Sequence, residues 1–157
     1  MKRRILLVDD DLAVLLTLKA VLELQGFEVE TANGSPEAFE RLKSGTYQMV
    51  ISDLRMEKED SGLEVLRAAR RQPYNPATAL LTAYPPERLG TEEEWNSEHS
   101  DSILIKPLGI KDLLRQVEAL LVTHADKSAR NKSVNQGAGA DRKKHFSRTQ
   151  NGKRSAS

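Results

Sequence analysis

Cysteine is absent from this 157-residue chain, so disulfides, thiol catalysis and cysteine-ligated metals are excluded, which fits a reducing compartment. Aromatic residues make up only 4% of the chain, so the core has to be aliphatic. Long hydrophobic runs are missing as well. Met1-Lys2-Arg3-Arg4 ahead of Ile5-Leu6-Leu7-Val8 imitates the start of a secretory signal, but Asp9 ends the run long before such a core is complete. No later run approaches membrane-spanning length, and a soluble, cytoplasmic protein is expected. Neither a P-loop nor a Gly-x-Gly-x-x-Gly turn follows any apolar run, which argues against a nucleotide-binding switch.

What is present divides unevenly. The net charge of +1 averages a basic stretch over 123–157, with nine Lys/Arg against two Asp, and an acidic remainder with 15 Lys/Arg against 21 Asp/Glu. The length suits one domain of about 120 residues plus a tail. A domain over 1–122 and a basic, disordered tail over 123–157 are therefore expected, because the hydrophobic period stops near Thr123 and Ser, Asn, Gly, Lys and Arg take over. That composition builds no second domain.

Four short apolar runs end on polar residues of a particular kind. Ile5-Leu6-Leu7-Val8 leads into Asp9-Asp10, Met49-Val50-Ile51-Ser52 into Asp53, Ala79-Leu80-Leu81 into Thr82, and Ile103-Leu104-Ile105 into Lys106-Pro107. Buried parallel strands read as such runs. Between them lie helical patterns. Asp11 caps one carrying Val14, Leu15, Leu18, Val21 and Leu22, stopped at Gly26. Ser35-Pro36-Glu37 opens another with a cap and a first-turn proline, turning Ala38, Phe39 and Leu42 inward. A third follows Gly62 with Leu63, Val65 and Leu66, and a fifth after Gly109 presents Ile110, Leu113, Leu114, Val117, Leu120 and Leu121. The polar segment after Tyr84-Pro85-Pro86 is the least legible. Strands at Glu28 to Ala32, Tyr47 to Asp53 and Thr78 to Thr82 complete the alternation, which implies an α/β fold with a parallel sheet covered on both faces.

Ligands of open α/β sheets sit beyond the carboxyl ends of the strands, so Asp9, Asp10, Asp53, Thr82 and Lys106 should meet at one edge. Three carboxylates there call for a cation, and Mg²⁺ prefers a few carboxylates with retained waters and phosphate oxygens. Asp53 could then attack phosphorus, with Lys106 as a point charge and Thr82 as a donor to phosphoryl oxygens.

The set Ile5-Leu6-Leu7-Val8-Asp9-Asp10-Asp11, Val50-Ile51-Ser52-Asp53-Leu54-Arg55-Met56, Leu80-Leu81-Thr82-Ala83 and Ile105-Lys106-Pro107 resembles the receiver domain of two-component response regulators, over about Lys2 to Val122. The resemblance implies a flavodoxin-like sheet of order 2-1-3-4-5. It implies Asp53 as phosphoacceptor, and Mg²⁺ held by Asp10 directly, by Asp9 largely through water, by Asp53 and by the Arg55 backbone carbonyl. Thr82, Ala83 and Lys106 become the phosphate-binding and switch group, and the peptide bond before Pro107 becomes cis. A histidine kinase or phosphotransfer protein would be the donor, and an unknown protein the downstream target.

The chain departs from the family in two places. Where the family has a proline four residues after the acceptor and a glycine four later, this chain has Glu57 and Gly62, a loop altered and longer by one. The aromatic switch of strand five falls at Ile103, leaving Tyr84 as the nearest aromatic after Thr82. Residues at the positions of Arg55 and Tyr84 modulate phosphate lifetime in the family, and a bulky Tyr84 is expected to obstruct the attacking water.

The leading expectation is a receiver without an output domain that signals through altered protein contacts. A phosphohydrolase with an aspartyl-phosphate intermediate would need a general acid near the nucleophile, often the second carboxylate of an Asp-x-Asp pair, but the chain reads Asp53-Leu54-Arg55. A receiver-like module that binds partners regardless of Asp53 is the other alternative. The basic tail is read as solvated, without the aromatic interleaving that would point to nucleic acid.

Overall fold

The computed structural model describes residues 2–58, 60–83, 101–106 and 109–131. Five parallel strands, β1 (Arg4–Val8), β2 (Glu28–Ala32), β3 (Met49–Asp53), β4 (Ala77–Thr82) and β5 (Ser102–Ile105), form one sheet in the order β2-β1-β3-β4-β5. This is the expected order. Three helices, α1 (Leu12–Leu24), α2 (Ser35–Ser44) and α3 (Ser61–Arg70), alternate with the first strands, and residues 110–131 form the last helix. The helical pattern expected after Thr82 falls on 84–100, outside the described residues.

Period-two alternation sorts the strand residues onto two faces. Ile5, Leu7, Met49, Ile51, Ala79 and Leu81 join Leu15 and Leu22 of α1 and Leu113, Val117 and Leu121 of the last helix in one cluster. Leu6, Val8, Val50 and Leu80 join Ala38 and Leu42 of α2 and Val65 and Leu66 of α3 in the other. Each fully buried aliphatic side chain contributes about 1.5–3 kcal/mol, and the central strands read as unbroken apolar runs because both of their faces are used.

Local signals set the helix ends. Asp11 caps α1, its Oδ1 accepting from the backbone N–H of Ala13 at 3.0 Å and of Val14 at 3.4 Å. Gly26, at φ +94°, closes α1: its N–H donates to the Glu23 carbonyl and that of Phe27 to the Leu22 carbonyl, the paired bonds of a Schellman motif. Helix α2 departs from expectation, since Ser35 is its first residue and Gly34 its N-cap, with no side-chain cap of its own.

Two further expectations are corrected. Ile110 is 57% exposed, because it sits at the first position of the last helix, short of the sheet. The chain divides into units between Leu121 and Val122, and residues 123–131, expected to be disordered, are helical. Ala125, Lys127, Ala129 and Arg130 are good helix formers, and a helix already nucleated extends through such residues without a hydrophobic stripe. Residues 132–157 lie outside the described residues.

Candidate functional site

The strand register brings the polar residues together. Val8 lies opposite Ser52, Asp53 opposite Leu81, and Thr82 opposite Ile105, so β1, β3, β4 and β5 end side by side. Asp9, Asp10, Asp53 and Lys106 follow or close those strands. The backbone N–H of Lys106 donates to the Thr82 carbonyl at 2.8 Å, which ties the last two strand ends together.

At this edge, one carboxylate oxygen from each of Asp9, Asp10 and Asp53 lies within 4.8 Å of the others. Asp9 is buried, 3% exposed, and its Oδ1 accepts from the Asp11 N–H at 3.0 Å. Its Oδ2 accepts from Lys106 Nζ at 2.8 Å, and the same ammonium lies 3.5 Å from Asp53 Oδ1. Burial, and next the charge of Asp9, push the Asp53 carboxyl above its ordinary range, while Lys106 pulls the other way. Burial opposes the charged form of Lys106, but its hydrogen bond to Asp9 and the two carboxylate charges outweigh this and raise it.

The donor set fits a hard divalent cation. It is all oxygen, one member is buried, one is exposed, and a single ammonium is shared by two of three carboxylates, the environment in which Mg²⁺ keeps several waters. A cavity of about 510 Å³ adjoins the site through Ala83 and Lys106 and is otherwise lined by Ala13, Val14, Thr17, Leu18, Leu81 and Leu113. None of the three carboxylates lines it.

Thr82 is buried at the end of β4 and Ala83 follows it. Ile103 lies opposite Leu80 and packs against the cluster under α2 and α3. Arg55 is exposed in the loop after β3. Tyr84 and Pro107, including the expected cis peptide, lie outside the described residues.

Two features of that loop were not evident from sequence. The Gly62 N–H donates to the Leu54 carbonyl at 2.8 Å, and a Cβ at Gly62 would fall 1.9 Å from the Asp53 carbonyl oxygen. Glu57 reaches Ser35 at the start of α2, Oε1 accepting from its N–H at 2.8 Å and Oε2 from its Oγ at 2.7 Å. The bare Gly34 before Ser35-Pro36 was the one local sign that a cap had to come from elsewhere.

This sheet order, with carboxylates and a lysine at its carboxyl edge, is that of a flavodoxin-like α/β domain with an acidic site at its switch point. The chain belongs to the response regulator receiver domain family, whose model matches residues 5–118. Among curated proteins, the transcriptional regulatory protein CpxR homolog of Haemophilus influenzae is 35% identical over 128 residues, covering 80% of this chain and 53% of that protein. Response regulator MprA of Mycobacterium ulcerans is 34% identical over 121 residues, covering 77% of this chain and 51% of that protein. The chain thus spans about half the length of these relatives. Among solved structures, a CheY-like receiver domain protein from Methanospirillum hungatei superposes with a TM-score of 0.72 at 25% identity, covering 81% of this chain and 99% of that one. TrrA from Thermotoga maritima, in complex with Mg(2+)-BeF, does so with a TM-score of 0.63 at 32% identity, covering 75% and 98%. Receiver domains bind Mg²⁺ at an acidic pocket, interact with histidine kinases or phosphotransfer proteins, and are generally non-enzymatic signalling modules.

The strain at Asp53 has a measurable sign. A carboxyl whose folded pKa lies above its unfolded one destabilises the fold when ionised, and the cost disappears as pH falls through the carboxylate range. Asp53→Asn should therefore melt a few degrees higher than wild type at pH 7 in chelator. The gap should narrow as pH falls toward the carboxylate range, and again when Mg²⁺ is added. Equal melting temperatures in chelator at pH 7 would contradict the charge crowding.

Proposed function

We propose that Asp53 accepts a phosphoryl group from a histidine kinase or phosphotransfer protein in the cytoplasm, and that the modified receiver signals through altered protein contacts. The observation that carries this reading is the meeting of Asp53 with Asp9, Asp10 and Lys106 at one strand edge, within reach of a single ion and a single phosphoryl group. In the step itself a carboxylate oxygen of Asp53 bonds to phosphorus as the bond from phosphorus to the donor's imidazole nitrogen breaks. The electron pair leaves with that nitrogen, which takes up a proton.

Asp9, Asp10, Asp53 and the Arg55 backbone carbonyl would hold Mg²⁺, which when bound neutralises charge on the phosphoryl oxygens. Lys106, already shared between Asp9 and Asp53, gains a phosphoryl oxygen as a third acceptor. The Thr82 hydroxyl, with the Ala83 backbone beside it, donates to another, and Asp11 keeps α1 capped at the rim. With isoleucine at 103, a shift of Thr82 is passed to Leu80 and Ile103 by aliphatic repacking rather than by a swinging ring. Phosphorylation then favours one of two arrangements because only that one satisfies the new charge.

Incubation with acetyl phosphate and Mg²⁺, followed by intact-mass measurement, tests the reading. One phosphate is expected on wild type and none on Asp53→Asn. An unlabelled wild type would leave the phosphorylation-independent interaction module in its place.

A further inference from the structure

We propose that Glu57 is a positioning residue that clamps the loop after β3 onto the start of α2 and so presents the Arg55 carbonyl to the metal. This rests on the phosphorylation reading above for the role of the carbonyl, but not for the clamp.

Both oxygens of Glu57 reach Ser35, Oε1 its N–H and Oε2 its Oγ, while the Ser61 side chain and the Glu57 amide itself also bond the carboxylate. Carboxylate acceptors at a helix N-terminus make charge-assisted bonds, and the exposed amides there favour negative charge. The site on α2 is left open for it. Its N-cap Gly34 offers no side chain, and a Cβ on Gly34 would lie 2.0 Å from Glu57 Oε1. Helix α2 is a firm anchor, because Ala38 and Leu42 are buried under it.

Further bonds fix the other side of the loop, with Ser61 common to both. The Lys58 N–H donates to Ser61 Oγ at 2.8 Å, the Met56 N–H to the Lys58 carbonyl at 3.1 Å, and the Gly62 N–H to the Leu54 carbonyl at 2.8 Å. Arg55 lies between Asp53, held in the sheet, and Glu57, held on α2. A proline at this position would restrict the loop through its own φ. Here a side-chain bridge across 22 residues does so instead. A loop released from α2 would spend only part of its time with the carbonyl in place, and apparent affinity falls in proportion to that fraction.

The test compares wild type with Glu57→Ala, Glu57→Gln and Gly34→Ala in the full chain. Gly34→Ala evicts the carboxylate while leaving Glu57 in the sequence, so two unrelated changes should act alike. Calorimetric titration with Mg²⁺ alone is expected to show a dissociation constant raised about fivefold in Glu57→Ala and Gly34→Ala, and less in Glu57→Gln, as preorganisation is lost. Amide exchange at 54–58 should quicken in the same variants. Acetyl phosphate labelling at saturating Mg²⁺ should match wild type, the midpoint in Mg²⁺ alone moving. Unchanged Mg²⁺ affinity in both Glu57→Ala and Gly34→Ala, with only a lowered melting temperature, would reduce Glu57 to a helix cap and overturn the proposal. Absence of labelling in wild type would instead strike the phosphorylation reading, while the Mg²⁺ titration still decides the clamp.

Discussion

Alanine at Gly62 is expected to cost the protein about 2 kcal/mol of folding free energy, a large share of the roughly 5–15 kcal/mol that holds a domain together. The new Cβ would lie 1.9 Å from the carbonyl oxygen of Asp53 and 2.8 Å from both its carbonyl carbon and the Leu54 Cα. All three are backbone atoms, which cannot swing aside. Helix α3 cannot easily retreat either, since Val65, Leu66 and Ala69 are buried beneath it. Overpacking costs about 1–3 kcal/mol and more when backbone must shift, whereas the better helix propensity of alanine returns at most about 1 kcal/mol. Relief comes by moving α3 outward or by moving Asp53, so labelling by acetyl phosphate should fall along with the urea midpoint. Gly34→Ala is the internal comparison, because there the obstacle is the end of a flexible side chain and the urea midpoint should move far less. Equal midpoints for the two variants would show that the Gly62 contact relaxes without cost.

The need for glycine at 62 could not be read from the sequence, although its place after an irregular loop could. The reason lies in a backbone contact with Asp53, which no local pattern encodes. Glu57 is a similar case. Ser-Pro-Glu at 35–37 has the local form of a capped helix start, and the cap in fact arrives from 22 residues further on. By contrast, the strands that position the site were legible because interior parallel strands need apolar residues on both faces, as at Ile5-Leu6-Leu7-Val8. Their polar end residues follow from chain direction alone, since parallel strands deliver every carboxyl end to one edge. Boundaries were less sharp. Tyr47 was expected in β3 and is buried, yet strand pairing with β1 begins at Met49, while Gln48 turns its side chain to the Arg4 N–H. Along the last helix the hydrophobic period marked which residues face the sheet, but not how far the backbone stays helical once that face is finished.

Removing the ammonium of Lys106 should have the second large effect, and it should depend on metal and pH. Asp9 is buried with its Oδ2 on Lys106 Nζ at 2.8 Å, and Asp53 shares that ammonium at 3.5 Å. In Lys106→Ala, two carboxylates that already crowd one another lose the charge that lowers Asp53, so the folded-state pKa of Asp53 rises further. A penalty carried by the ionised form is present at neutral pH and is relieved as pH falls through the carboxylate range. Breaking a fully buried pair costs about 3–5 kcal/mol, but Lys106 is one-quarter exposed and water screens part of the loss. About 2 kcal/mol in chelator at pH 7 is the expected size after that discount. Added Mg²⁺ should restore most of it by supplying positive charge to the same oxygens. Phosphorylation should not be restored with it, because in the proposed reaction the ammonium is also the partner of the incoming phosphoryl oxygens. A charge-assisted hydrogen bond is worth about 1.5–3 kcal/mol, so at saturating Mg²⁺ the rate of labelling by acetyl phosphate should fall about tenfold or more. Lys106→Arg should recover stability better than rate, since a planar guanidinium can face two carboxylates yet cannot occupy the place of a compact ammonium. Full labelling in Lys106→Ala would restrict Lys106 to offsetting the repulsion between Asp9 and Asp53, and an unchanged stability in chelator would show that it does not do even that.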